Sequence, residues 1–114
     1  MKKGRIAVAT TGKKALGDEV SSVFGRANTF TIVDIEDGEV QGVKVLENPA
    51  KSYEHGVGPL VVKELVDLNV EAVIAPDFGP GVSTLLKQHN VTTILSKPSE
   101  NVKRVIQKII ENQG

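Results

Sequence analysis

The stretch that most constrains the fold of this chain is a glycine-rich turn near its middle, where residues 54–60 read Glu-His-Gly-Val-Gly-Pro-Leu. Before this turn, short runs of β-branched and aromatic residues indicate strands and a hairpin. After it, short apolar runs alternate with segments of helical period, as in strand–helix–strand units. Such a change of pattern predicts a mixed sheet, with an antiparallel part from the first half of the chain and a parallel part from the second half.

The first half of the chain contains three predicted strands. Residues 5–10 are an apolar run, and residues 29–35 are rich in β-branched and aromatic side chains. Asp37-Gly38 separates the second run from residues 40–46, and Asp-Gly between two such runs is a strong hairpin signal. Residues 13–25 are predicted to form a long loop with one helical turn at residues 20–23.

The second half contains three predicted helices and two predicted strands. The first helix opens at Pro59, the second follows Gly81, and the third has Ser99 as its predicted N-cap. The strands are residues 71–75 and 91–95. The sequence therefore predicts a three-layer α/β fold, with a mixed sheet of about five strands and about three helices, in a single domain over residues 1–114. Ligands of such folds collect at the carboxyl ends of the parallel strands, so the loops at residues 10–25, 50–59 and 76–81 are expected to meet there.

The composition excludes several classes of function. The chain has no cysteine, so disulfides, thiolate nucleophiles and thiolate-ligated metals are excluded. Fourteen basic residues balance fourteen acidic ones, which argues against a dedicated nucleic-acid binder. No apolar run approaches the ~20 residues of a membrane span, and no basic-then-apolar leader is present. We therefore expect a cytoplasmic protein.

His55 is the main candidate for a functional side chain. A neutral imidazole binds metals and an imidazolium binds anions. The glycines that follow it, Gly56 and Gly58, would let backbone N–H groups at a helix N-terminus approach a ligand. The alternatives are an exposed loop histidine without a role and a tight turn that needs glycine for its shape alone.

Gly79 and Gly81 precede the second helix in the same way, so the chain offers two glycine-lined helix N-termini. Together they suggest a ligand that is anionic or rich in oxygen or sulfur. The glycines match neither a P-loop nor a dinucleotide-binding fingerprint. Arg26, which follows Phe24-Gly25, could clamp an anion or could pin its loop to a carboxylate.

Evidence for catalysis is thin. No nucleophile–base pair and no pair of carboxylates with acid/base spacing can be identified, so no catalytic residue is assigned and binding is favoured over catalysis. A two-metal hydrolase would need clustered acidic residues, for which only Asp34 and Asp77 are candidates. His89, at the predicted end of the second helix, is interpreted as a structural residue that interacts with the helix dipole.

Several motifs together resemble the dinitrogenase iron–molybdenum cofactor biosynthesis family, which comprises small nitrogenase accessory-factor domains. The resemblance extends over residues 5–110. The motifs that carry it are Ile6-Ala7-Val8-Ala9, Phe24-Gly25-Arg26-Ala27, Glu47-Asn48-Pro49, His55-Gly56-Val57-Gly58-Pro59 and Gly79-Pro80-Gly81.

The resemblance implies a ribonuclease-H-like fold and a non-enzymatic protein that binds and passes on iron–sulfur or iron–molybdenum clusters or their precursors. It implies His55 as the metal ligand, and partner proteins that donate or accept the cluster. Many relatives have a histidine immediately before the Phe-Gly-Arg motif, where this chain has Val23. The alternative function is a metal-independent binding module for a small anionic metabolite or nucleotide, built on the same two helix ends.

Overall fold

The computed structural model describes residues 1–112 and contains five strands and three α-helices. In chain order the elements are β1 (Gly4–Thr10), β2 (Thr29–Glu36), β3 (Glu39–Glu47), α1 (Val57–Asp67), β4 (Ala72–Ala75), α2 (Pro80–Gln88), β5 (Thr92–Leu95) and α3 (Val102–Glu111). The predicted α/β architecture is confirmed: the sheet is mixed, and its order is β3-β2-β1-β4-β5.

The sheet changes direction at its centre. β1 pairs antiparallel with β2 and parallel with β4, and β4 in turn pairs parallel with β5. β2 and β3 form the predicted hairpin, with Asp37 and Gly38 both at positive φ in the turn. This is the conformation that favours an Asp-Gly pair in two-residue hairpin loops. The parallel strands β1 and β4 therefore end at the same edge of the sheet, and ligands of open α/β sheets collect at that edge.

The helices lie on both faces of the sheet, which gives three layers. α1 and α2 bury Val61, Val62, Leu65 and Leu86 against one face. α3 buries its apolar stripe, Val102, Val105 and Ile106, against the other face. Each helix therefore stabilises the fold through one apolar side, while the polar residues of that helix face water.

The segment between β1 and β2 differs from the prediction. The expected helical turn at residues 20–23 is absent; a 3₁₀ turn forms instead at Ala15–Gly17, and Val20 bridges to Thr10 in an extended conformation. Asp18 explains the change, because its buried carboxylate accepts hydrogen bonds from the Thr11 hydroxyl at 2.8 Å and from the backbone N–H groups of Lys14 at 2.9 Å and Glu19 at 2.7 Å.

The N-cap of α3 also differs from the prediction. Asn101, not Ser99, caps the helix, and its Oδ1 accepts a hydrogen bond from the backbone N–H of Arg104 at 3.1 Å. Ser99 has a φ of 68°, and its own N–H donates to the carbonyl of Val20 at 2.9 Å. Both residue types cap helices well, and this contact with the β1–β2 segment decides which of them occupies the cap position.

Candidate functional site

The three loops that were predicted to converge do meet at the carboxyl edge of β1 and β4. The rings of Phe24, from the first loop, and Phe78, from the third, have centroids 5.3 Å apart. A Cβ added to Gly25 would lie 3.4 Å from Cγ1 of Val57, the first residue of α1. Contacts between side chains and backbone therefore join all three loops into one surface.

The three phenylalanines of the chain form the base of this surface. Phe24 packs edge-on against Phe30 of β2, with ring centroids 5.6 Å apart, and Phe24 also contacts Phe78. All three side chains are buried. Each comes from a different segment, so burial of these rings holds the loops together through apolar contact.

Two helix N-termini lie side by side above this base. The N-cap of α1 is Gly56, with a φ of 71°, and the N-cap of α2 is Gly79, with a φ of 72°; neither helix has a side-chain cap. The first-turn N–H groups of a helix have no partner within the helix, and the helix dipole favours an anion near them. A Cβ added to Gly58 would lie only 2.8 Å from Cγ2 of Val82, so the first turns of the two helices are in close contact.

The glycines of the two turns differ in their roles. Cβ atoms added to Gly56, Gly79 or Gly81 would meet no atom within 4 Å, so a ligand could approach the backbone there. Gly58 is different, because the contact with Val82 leaves no room for a side chain. No sequence pattern indicates this packing role, because it depends on a helix distant in the sequence.

His55 immediately precedes the N-cap of α1, and its side chain is exposed. Its imidazole makes no hydrogen bond or ion pair with any residue in 1–112. The side chain is therefore free to bind a ligand. Val23, which immediately precedes the Phe24-Gly25-Arg26 motif, is also exposed and offers no ligand atom.

Arg26 contacts the loop that carries His55. Its Nη1 donates a hydrogen bond to the carbonyl of Lys51 at 2.9 Å, and its Nη2 donates to the carbonyl of Glu54 at 3.3 Å. Of the two roles expected for Arg26, the structure shows a loop contact, but to carbonyls and not to a carboxylate. Within the described residues Arg26 forms no ion pair, so its positive charge is not neutralised by the protein.

The acidic residues within 1–112 do not form a metal site. Asp77 follows β4 at the candidate site, where its Oδ1 accepts a hydrogen bond from the N–H of Gly79 at 3.3 Å. Asp34 lies at the opposite edge of the sheet, paired with Arg5 at 2.7 Å. Among residues 1–112 no group of three or more His, Asp or Glu side chains could hold a metal ion. The two-metal hydrolase interpretation is therefore not supported, because its two carboxylates are separated by the length of the strands.

Two buried polar clusters that the sequence analysis did not identify shape the loops of the site. The carboxyl group of Asp18 organises the first loop; burial alone would raise its pKa, but N–H and hydroxyl donors from Lys14, Glu19, Thr11 and Gly12 lower the pKa below its ordinary value. The hydroxyl of Thr10 contacts Thr29 at 2.6 Å and Thr31 at 3.0 Å. Threonine is common in exposed strands, so only the strand register shows that these hydroxyls meet in the interior.

A cavity in the described chain borders the base of this surface, because Phe30 lines both. It has a volume of about 220 Å³ and lies between β3 and α1, where Phe30, Leu46, Leu60 and Leu65 contribute to its mainly apolar lining. None of the predicted site residues lines it. No helix in residues 1–112 has the length and apolar character that a membrane crossing requires.

Similarity to known proteins identifies the family of this chain. A family model described as dinitrogenase iron-molybdenum cofactor matches residues 4–112. The chain belongs to this family. The resemblance inferred from the sequence motifs is thereby confirmed, over nearly the same residues.

The chain is also similar to individual proteins. The chain is 34% identical to the Thermotoga protein TM1290, provisionally assigned as NifB, with a TM-score of 0.76 over 96% of this chain and 90% of that one. It superposes on the apo form of the orange protein of Desulfovibrio gigas with a TM-score of 0.86, over 96% of this chain and 89% of that one, at 22% identity. It is also 35% identical over 71 residues to the uncharacterized protein MJ0580 of Methanocaldococcus jannaschii; the match covers 62% of this chain and 60% of MJ0580.

Proposed function

We propose that this protein carries an iron–sulfur or iron–molybdenum type cluster, or a precursor of one, and passes it on without catalysing a reaction. The observation that supports the proposal best is the pair of adjacent helix N-termini without side-chain caps, next to an exposed histidine. Membership of the iron-molybdenum cofactor family supports the choice of cargo. The proposal includes a cytoplasmic location and transfer to or from a partner protein.

The donor set fits an assembled cluster better than a bare metal ion. A protein-bound metal ion requires several side-chain ligands, and residues 1–112 contain no group of three that could supply them. A cluster brings its own sulfides and a negative charge. It could therefore be held by the His55 imidazole together with backbone N–H groups of α1 and α2, while the charge of Arg26 balances it. One protein ligand gives weak binding and easy release, as a carrier requires.

The test is anaerobic titration of the purified protein with an iron–sulfur cluster donor, followed by absorbance spectroscopy and gel filtration. We expect charge-transfer bands that co-elute with the protein and disappear in His55→Ala. The matched control is His89→Ala, because His89 is the only other histidine and lies exposed at the opposite end of α2. Bands in both variants would support the carrier function but exclude His55 as the ligand. If none of the three proteins shows bands, the carrier function is excluded.

A second candidate function is a binding module for a small anionic metabolite or nucleotide. The absence of a three-ligand metal group from the described residues favours it, since the two helix N-termini could hold a phosphate without metal. Stabilisation against heat by phosphate-bearing compounds in the presence of a chelator would support this function. The ribonuclease-H-like classification of the fold also remains a proposal, supported by the mixed five-stranded sheet with helices on both faces.

A further inference from the structure

We infer that Arg26 is a positioning residue, whose guanidinium fixes the loop that carries His55 beside the N-terminus of α1. Its two hydrogen bonds, to the carbonyls of Lys51 at 2.9 Å and Glu54 at 3.3 Å, are made by different nitrogens of the same planar group. Glu54 directly precedes His55. The consequence for cargo binding depends on the proposed function, whereas the effect on the loop does not.

Asn48 makes the reciprocal contact from the root of the same loop. Its Nδ2 donates to the carbonyls of Gly25 at 2.7 Å and Ala27 at 3.0 Å, which are the residues on either side of Arg26. Its Oδ1 accepts a hydrogen bond from the N–H of Ala50 at 3.0 Å. Asn48 is buried, so its side chain forms a fixed base. Arg26 and Asn48 therefore bind the two loops to each other from both sides, and we call this pair of residues the clasp.

The loop has little else to hold it. Every residue from 51 to 56 is exposed, and only Ala50 and Val57 at its ends are buried. The remaining backbone hydrogen bonds of the loop are local ones, such as that from the N–H of Tyr53 to the carbonyl of Ala50 at 3.0 Å. A segment with few buried apolar contacts opens easily unless other bonds restrain it. Arg26 supplies hydrogen bonds to this segment from a distant part of the sequence.

The shape of the guanidinium suits this role better than its charge does. One rigid, planar guanidinium bridges the carbonyl groups of Lys51 and Glu54, which are three residues apart, and the single ammonium of a lysine cannot reproduce this pair of hydrogen bonds. The backbone before Arg26 is itself fixed, since Gly25 packs against Val57 and Gly58 in the first turn of α1. The same loop thus contacts the helix N-terminus and, through Arg26, the segment carrying the imidazole.

The experiment compares Arg26→Lys and Arg26→Ala with the wild type by two measurements. The first, which needs no cargo, is amide hydrogen exchange of Tyr53, whose N–H is bonded to the carbonyl of Ala50, with limited cleavage by trypsin after Lys51. Loss of two exposed hydrogen bonds should raise local exchange and cleavage about tenfold in both variants, with the melting temperature unchanged. Arg104→Lys is the matched control, because Arg104 is exposed on α3 and its side chain makes no hydrogen bond or ion pair with residues 1–112.

The second measurement is loading with an iron–sulfur cluster donor, and the lysine variant decides its meaning. If Arg26 acts by position, Arg26→Lys loses loading as Arg26→Ala does. Full loading in Arg26→Lys with loss in Arg26→Ala would show that the charge of Arg26 is sufficient without its bridging geometry, and would overturn the inference. Unchanged exchange of Tyr53 and unchanged cleavage after Lys51 in Arg26→Ala would also overturn it. If exchange rises in the variants but the wild type loads no cluster, the positioning role of the clasp is supported and the proposed cargo is contradicted.

Discussion

The contact between Gly58 and Val82 gives the most direct test of how the two helix N-termini are assembled. In Gly58→Ala the new methyl group would lie 2.8 Å from Cγ2 of Val82, closer than van der Waals contact allows. Val82 cannot move aside easily, because β-branched side chains have few allowed rotamers. We therefore expect the first turns of α1 and α2 to separate or the side chain of Val82 to become strained.

The magnitude follows from two opposing effects. Overpacking in a close contact costs about 1–3 kcal/mol. Alanine in place of glycine within a helix gains up to about 1 kcal/mol. Gly81→Ala provides the matched control, because Gly81 is the second residue of α2 as Gly58 is of α1, and a Cβ there meets no atom within 4 Å. The free energy of unfolding of Gly58→Ala should therefore lie about 1–3 kcal/mol below that of Gly81→Ala.

Urea denaturation of the two variants measures this difference directly, and a thermal scan should show about 4 °C for each kcal/mol. Combining Gly58→Ala with Val82→Ala should remove the overlap, so that in this background the alanine at position 58 no longer destabilises the protein. Equal stability of Gly58→Ala and Gly81→Ala would refute the packing argument. A persistent loss in the Val82→Ala background would show that the strain arises elsewhere.

Three further predictions concern the polar groups that shape the fold. Asp18→Asn should lower the free energy of unfolding by about 1–3 kcal/mol at pH 7, because the amide group would direct its own donors at backbone N–H groups. Hydrogen bonds lower the pKa of Asp18 in the folded state below its ordinary value of 3.8. The greater stability of the wild type is therefore present above pH 3.8 and should disappear as the pH falls through the folded-state pKa. Thr10→Val should cost about 1 kcal/mol and more than Thr31→Val in urea denaturation, because the Thr10 hydroxyl contacts the hydroxyls of both Thr29 and Thr31, whereas the Thr31 hydroxyl contacts only that of Thr10. Asn101→Ala should cost about 1 kcal/mol through loss of the cap of α3, detected by urea denaturation, and an unchanged midpoint would contradict the assigned cap.

Local signals predicted much of the fold. The hairpin followed from Asp37-Gly38, which favour the positive φ values that the turn adopts. Asn69 and Asn90 adopt left-handed conformations just beyond α1 and α2, where glycine or asparagine commonly ends a helix. Such signals can be read from sequence because they depend on interactions within a few residues.

The irregular segments were predicted less well, because distant contacts decide them. Hydrogen bonds to the buried carboxylate of Asp18 determine the conformation of the first loop, and the helical turn expected at residues 20–23 does not form. The cap of α3 is Asn101, because Ser99 is used in a contact with Val20. In each case several local conformations differ little in energy, so one tertiary hydrogen bond is enough to select among them.

The sequence by itself determined which groups the candidate site contains: a loop histidine and two glycine-lined helix N-termini at the carboxyl edge of a mixed sheet, in a chain of the iron-molybdenum cofactor family. Residue types and their order carry that information, since a glycine at a helix start or a histidine in a loop has the same chemistry in any fold. Only the tertiary structure decided how these parts are held together. Gly58 proved to be a packing residue, and Arg26 and Asn48 proved to join two loops. These roles depend on distances between residues far apart in the chain, which a single sequence does not encode locally.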